Sequence, residues 1–287
     1  MKVDSVRKLD PMSIMLYWIG ERESIRNTRL VDKSWPWTDD EILRRYRFCN
    51  VRRMDDKVSL WILNNWYLPN QGHPNMLVAI ALARFFNRSS TLEVIGFPRN
   101  YYPDTLKKKL RALKDLGSLI FNGAYMVRGN YGEDKIASVI DYTITPLYES
   151  PIIINSRSME ITWDRLGGRY GFGSFMAGQV VADLRWASPG AGYYIGEEWW
   201  CDRSSWAPMG PGSKRGMNRL RGLPINKPMT QKEFETLLQT FMVRAKLSLP
   251  QEITSRIEAM DYQNCLCEYD KYCRVLDGGE SKRLYKR

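Results

Sequence analysis

Histidine is nearly missing from this chain: His73 is the single one in 287 residues. That excludes an HExxH zinc site and any cluster of imidazole ligands. Nothing approaches the roughly 20 consecutive apolar residues that a membrane span needs. The opening MKVDSVRKLDPM lacks the apolar core of a secretory signal, so the expected location is the cytoplasm of the producing cell. There is no GxxxxGK[ST], which excludes a P-loop, and no GxGxxG after a clear strand, which disfavours a dinucleotide domain. Cysteine is sparse and odd in number: Cys49, Cys201, Cys265, Cys267 and Cys273 read as reduced thiols. Cys265, Cys267 and Cys273 cluster in sequence without an evident fourth ligand for an iron–sulfur centre, and read instead as three thiols on one half-buried helix. No cofactor and no metal are expected.

Positive charge and aromatics are what the chain has in surplus. Lys and Arg number 43 against 32 Asp and Glu, a net charge of +11, which favours a polyanionic partner because each neutralised phosphate releases counterions. Ten Trp and sixteen Tyr can stack on bases, although most will be core. A hydrophobic share of 44% supports a packed core, and a single helical domain over 1–287 is expected, with two lobes as a variant of that reading.

Apolar periodicity predicts helices over 13–30, 57–66, 74–88, 102–116, 174–186, 230–246 and about 250–274. Thr38 followed by Glu41 reads as a capping box opening a helix through EILRRYRFCNVRRM, which would set Tyr46, Cys49, Asn50 and Arg53 on one stripe facing a cleft. Thr230 with Glu233 reads the same way for the helix after it. Gly210-Pro211-Gly212 reads as a tight turn, with Ser213-Lys214-Arg215 opening a basic helix. Gly210, Gly212, Ser213, Lys214 and Arg215 are therefore candidate phosphate-backbone contacts, in a segment near 174–222 that resembles a helix-hairpin-helix DNA clamp.

Three blocks, in order, carry a resemblance to a known family. They are Arg22-Glu23-x-Ile25-Arg26 with Pro36-Trp37-Thr38-x-Asp40; Arg47-Phe48-Cys49-Asn50-Val51-x-Arg53-x-x-Asp56; and Cys267-Glu268-x-Asp270-Lys271-Tyr272. Gly123-Ala124-Tyr125 and the Gly210–Gly216 segment fit as well. Together they resemble the phage alpha-glutamyl/putrescinyl-thymine pyrophosphorylases, or amino acid:DNA transferases, and the helical domain of phage 5-hydroxymethyluracil DNA kinases. The resemblance implies a mainly α fold like that of helix-hairpin-helix DNA glycosylases. It also implies a phage-encoded enzyme in the host cytoplasm. Its partners would be double-stranded DNA carrying a modified thymine and an amine co-substrate, with glycine favoured. The implied reaction replaces a phosphate or pyrophosphate on the base's 5-methylene with that amine.

The residue inventory can be set against that chemistry. Extruding the base into a pocket would shield the reaction from water. Tyr46, Tyr125 and Trp37 are candidates to stack on it. Asn50, then Gln263, is a candidate to read the uracil edge. Arg26, Arg47 and Arg53, with Lys271, are candidates to hold the departing anion, and Asp270 belongs to the same substrate-binding set. A carboxylate must take a proton from the incoming ammonium: Glu268, Asp183 and Glu23, in that order. Cys49 or Cys267 as a nucleophile adding to the ring is the sharper reading of those thiols, and an inert buried thiol the plainer one. Two rival functions remain open: a glycosylase, against which no Asp occurs between Asp202 and Asp261, and a DNA-binding protein without chemistry.

Overall fold

A computed structural model of the chain describes residues 3–123, 134–152, 154, 156–187, 199–281 and 283–285. The chain is mainly helical. Among the described residues there is no strand, only one isolated antiparallel bridge between Tyr46 and Leu284. Eight helices reach nine residues among the described ones: α1 Pro11–Val31, α2 Met76–Phe86, α3 Pro103–Asp115, α4 Met159–Gly167, α5 Gly173–Leu184, α6 Pro211–Leu220, α7 Gln231–Ser248 and α8 Ala259–Leu276. No described helix is long and apolar enough to cross a membrane. The chain divides into two compact units, one of 1–56 with 204–287 and one of 57–203. The 174–222 stretch expected to form one clamp is therefore shared between them, and 188–198 lie outside the described residues.

The 57–203 unit is built around α2. All eleven of its residues are buried, as its apolar-all-round MLVAIALARFF dictates. Pro74 precedes the helix instead of lying in its first turn, and Asn87, in the left-handed region at φ 48°, ends it. Phe85 meets Phe172 edge-on at 5.5 Å. The single cationic side chain of α2, Arg84, is fully inside. It ion-pairs with Asp183 of α5, and donates to Asn87 at 3.1 Å and Ser59 at 3.3 Å.

In the other unit α6 lies hard against α8, and glycine is what permits it. A Cβ on Gly216 would run into the Leu266 carbonyl, and one on Gly212 into the Cys267 thiol. The helix begins at Pro211 with Gly210 as its cap, so Gly212 is inside its first turn and not in a preceding loop. Ser213 Oγ accepts from Gly210 N at 2.9 Å and from Gln263 Nε2 at 3.0 Å. The Thr230–Glu233 capping box forms as expected. The predicted 250–274 helix is instead a short turn, Gln251–Thr254, then α8. Two of the three α8 thiols, Cys265 and Cys273, are buried and Cys267 is partly so.

The largest departure from expectation is at 38–54. The cap is Asp40, whose carboxylate takes Leu43 N at 2.9 Å, while Thr38 hydrogen-bonds Glu21. The helix stops at Arg45, and 46–52 run as irregular chain. Long-range partners outweigh the local helical preference. Arg22 reaches the carbonyls of Cys49 (3.2 Å) and Phe48 (3.4 Å), the tail's Arg283 carbonyl takes Arg47 N (2.9 Å), and Glu268 takes Cys49 N (2.9 Å). Tyr46, Cys49, Asn50 and Arg53 therefore share no helical stripe.

Candidate functional site

The 46–56 segment is the floor of a cluster of charge within the 1–56/204–287 unit, with α1 and α8 supplying the walls. From α1 come Arg22, Glu23 and Arg26, which a 3.6-residue period sets on neighbouring faces. Glu23 Oε2 lies 3.0 Å from Arg256 and 3.9 Å from Arg26. Asp55 answers both guanidinium groups, at 2.8 Å to Arg26 and 3.2 Å to Arg256. From α8 come Glu268 and Lys271, 3.2 Å apart. Lys271 also donates to the Arg47 carbonyl at 2.5 Å and sits 4.3 Å over the Phe48 ring. Asp261, also on α8, takes Arg53 N at 2.9 Å.

Two atoms of this cluster are buried without a hydrogen-bond partner: Arg22 Nη1 and Glu23 Oε1. Arg22 and Glu23 are each 3% exposed, so the protein has desolvated two charged groups without saturating them. Burial raises the Glu23 carboxyl above its ordinary value; Arg256 pulls it back down and Asp55 pushes it up. A carboxylate poised in this way suits proton transfer. The partly buried Cys267 behaves oppositely to a nucleophile: burial and the Glu268 carboxylate push its thiol up to about 11.

Of the residues singled out from sequence, the structure brings Glu23, Arg26, Asn50, Arg53, Glu268 and Lys271 into this one unit around the 46–56 segment. Asn50 spends part of its amide on the protein, accepting from Arg22 at 3.3 Å and donating to the Asp55 carbonyl at 2.6 Å. Arg47 is on the exposed side of the segment. Asp270 is buried between Arg215 (2.8 Å) and Arg219 (2.9 Å), so Arg215 ties α6 to α8. Asp183 belongs to the other unit, fully buried, with Tyr67 donating to it at 2.6 Å beside Arg84. Tyr125 lies outside the described residues. Sequence reasoning gave no role to Asp55, Asp261 and Arg256. Asp55 sits in a block already singled out, whereas Arg256, in a short turn, had no local signal. Among the described residues, no three His, Cys, Asp or Glu side chains gather as a metal site.

The helical composition agrees with the family that the sequence matches. The sequence model of the family described as "5-hmdU DNA kinase, helical domain" matches residues 10–280. The chain belongs to this family. It is also 29% identical over 244 positions to a 5-hmdU DNA kinase of Bacillus phage SP10. That match covers 75% of this chain and 38% of the kinase, so the chain spans about two fifths of its relative's length. No solved structure matches.

Proposed function

We propose that this chain acts on a phosphorylated or pyrophosphorylated 5-hydroxymethyluracil in double-stranded DNA, replacing the anionic group with the amine of an amino acid. The observation that carries the reading is the cluster around 46–56: Glu23, Asp55, Asp261 and Glu268 beside Arg22, Arg26, Arg256 and Lys271, with two buried charged atoms, Arg22 Nη1 and Glu23 Oε1, left unsatisfied. The amine nitrogen forms a bond to the 5-methylene carbon while the carbon–oxygen bond to the leaving group breaks. The phosphate or pyrophosphate departs with that electron pair. Arg26, Arg53 and Lys271 offset the charge that grows on it. Glu23, its carboxyl raised by burial, receives a proton from the ammonium, and Glu268, tied to Lys271 and Cys49 N, holds the floor of the site. Asp183, bound by Arg84 and Tyr67, takes a structural role in this scheme.

Two facts favour displacement over phosphorylation and over base cleavage. These 287 residues spell no P-loop, so nothing here cradles a nucleoside triphosphate in that way. A glycosylase of helix-hairpin-helix type would carry an Asp some twenty residues past the glycine turn, a stretch that here has none. The glycosylase-like helical fold and the host-cell setting are part of the same proposal.

The test is mass analysis of nucleosides after incubating the protein with phosphorylated or pyrophosphorylated hydroxymethyluracil DNA and an amino-acid panel that includes glycine. The expected product is a thymidine analogue carrying the amino acid. Unchanged nucleosides overturn the reading, and release of free base points to a glycosylase instead. Arg26→Ala and Glu23→Gln are each expected to slow conversion by about a hundredfold or more, judged as loss of an electrostatic and a proton-transfer contribution.

A further inference from the structure

Arg22 has no part in the displacement scheme, yet its guanidinium is buried about as deeply as that of Arg84. The two are answered differently. Arg84 ion-pairs with Asp183. Arg22 meets neutral acceptors instead: its Nε donates to the Cys49 carbonyl at 3.2 Å, and its Nη2 to the Phe48 carbonyl at 3.4 Å and to Asn50 Oδ1 at 3.3 Å. Those bonds hold one edge of the group against the 48–50 backbone. Nη1, at the other end, has no hydrogen-bond partner, and no carboxylate of the described residues ion-pairs with Arg22. A guanidinium stays charged in the interior, so burying one without a counter-ion is costly until an anion joins it.

The next residue of α1 supplies the complement. Glu23 Oε2 is taken by Arg256 at 3.0 Å, while the buried Oε1 accepts nothing. Consecutive residues thus present a free cationic donor and a free anionic acceptor within one cluster. A ligand that answers both must carry an anionic acceptor and a cationic donor close together. A phosphate answers only the first, because it offers acceptors and meets Glu23 as a like charge. An α-amino acid carries a carboxylate and an ammonium on one carbon. Arg26 and Arg256, which face Glu23, are each a quarter or more exposed, so the cluster meets solvent at long side chains that change rotamer quickly.

We infer that Arg22 and Glu23 form the subsite of the amine donor, which is an α-amino acid held as its zwitterion, with the carboxylate on Arg22 Nη1 and the ammonium on Glu23 Oε1. The inference rests on the proposed displacement and adds which groups of the donor are recognised: simple amines and diamines lack the carboxylate and are refused. The same arrangement sets the ammonium beside the base that removes its proton.

The test is equilibrium dialysis of the full chain against labelled glycine, alanine, serine and glutamate, each compared with its α-amide. DNA carrying unphosphorylated hydroxymethyluracil is present throughout; it has no phosphate to lose and so leaves the amino acid unreacted. The amide keeps the ammonium and removes the negative charge. An amino acid that binds is expected to bind about tenfold to a hundredfold more tightly than its amide. Arg22→Gln is expected to bring the two affinities within about twofold of each other, whereas Arg22→Lys, which keeps the charge, preserves part of the difference. Each ratio is taken on one preparation, so a partly folded variant does not imitate the result, and the parent's own ratio depends on no variant.

Equal binding of acid and amide by the parent overturns the inference. So does an acid preference that survives unchanged in Arg22→Gln, which puts the carboxylate elsewhere. Failure to bind any of the amino acids overturns it as well, and inorganic phosphate bound by the parent but not by Arg22→Gln then assigns Arg22 to the leaving group. The displacement itself is judged separately by the nucleoside masses. Amino-acid binding by a chain that leaves nucleosides unchanged retains the subsite and removes the chemistry; transfer from amides as readily as from acids does the reverse.

Discussion

Asp183 and Glu23 are carboxylates buried almost equally, at 0% and 3% exposure, yet their surroundings differ in kind. Asp183 is enclosed by the Arg84 guanidinium and the Tyr67 hydroxyl in the apolar heart of the 57–203 unit. Glu23 faces guanidinium groups that are a quarter or more exposed, and keeps one oxygen unbonded. The first arrangement suits a folding requirement, because a buried pair holds only when both partners stay. The second leaves a carboxylate oxygen without a protein partner, which is what the proposed site requires of its base. Two acids of similar burial thus differ in whether their polar atoms are saturated, and the proposed chemistry draws on that difference.

The comparison can be broken at several strengths. Arg84→Ala strands the Asp183 charge inside and is expected to cost about 3–5 kcal/mol, read as a large drop in melting temperature; a drop no greater than that of a surface variant would mean the pair is not a requirement of the unit. Gly216→Ala pushes α6 off the Leu266 carbonyl in the other unit and is expected to cost about 1–3 kcal/mol in a denaturant titration. Arg256→Ala, the site's counterpart of Arg84→Ala, is expected to cost under about 1 kcal/mol, since Arg256 is 29% exposed and Arg26 still faces both Glu23 and Asp55. Equal losses for Arg84→Ala and Arg256→Ala would erase the distinction drawn between the two acids.

Glu23→Gln gives the smallest effect on stability and the most direct test of its environment. The folded chain holds this carboxyl above its ordinary value of 4.5, so folding favours the protonated form. Its contribution is full below the ordinary value and is lost as pH rises through the raised one. The neutral Gln lacks that loss. Relative to the parent, the variant is therefore expected to gain stability from acidic toward neutral pH, checked by melts across that range. A parallel pair of curves would show that Glu23 is not held out of its ordinary range.

Much of the helical layout was legible because it is governed by local periodicity and caps. The Thr230–Glu233 box, the amphipathic α3 and the all-apolar α2 appear within a few residues of where their patterns put them. Asp40, fully buried where it accepts from Tyr17 and Tyr272, shows the limit: nothing in TDDE says which acid will cap, because two distant tyrosines decide it. The blocks that mark the family were likewise readable, and Glu23, Arg26, Asn50, Arg53, Glu268 and Lys271 lie in them.

What the sequence determined alone is therefore the basic charge, the helical class, the caps that sit beside their own helices and the identity of the charged blocks. The tertiary structure decided that 46–52 leaves the helix, that Gly212 and Gly216 serve a close helix pair, that Arg256 joins Glu23 across 233 positions, and that Asp183 is enclosed while Glu23 is not. The physical reason is range. Periodicity and capping act over a single turn, whereas desolvation and ion pairing depend on which distant groups the packed chain brings within a few ångströms.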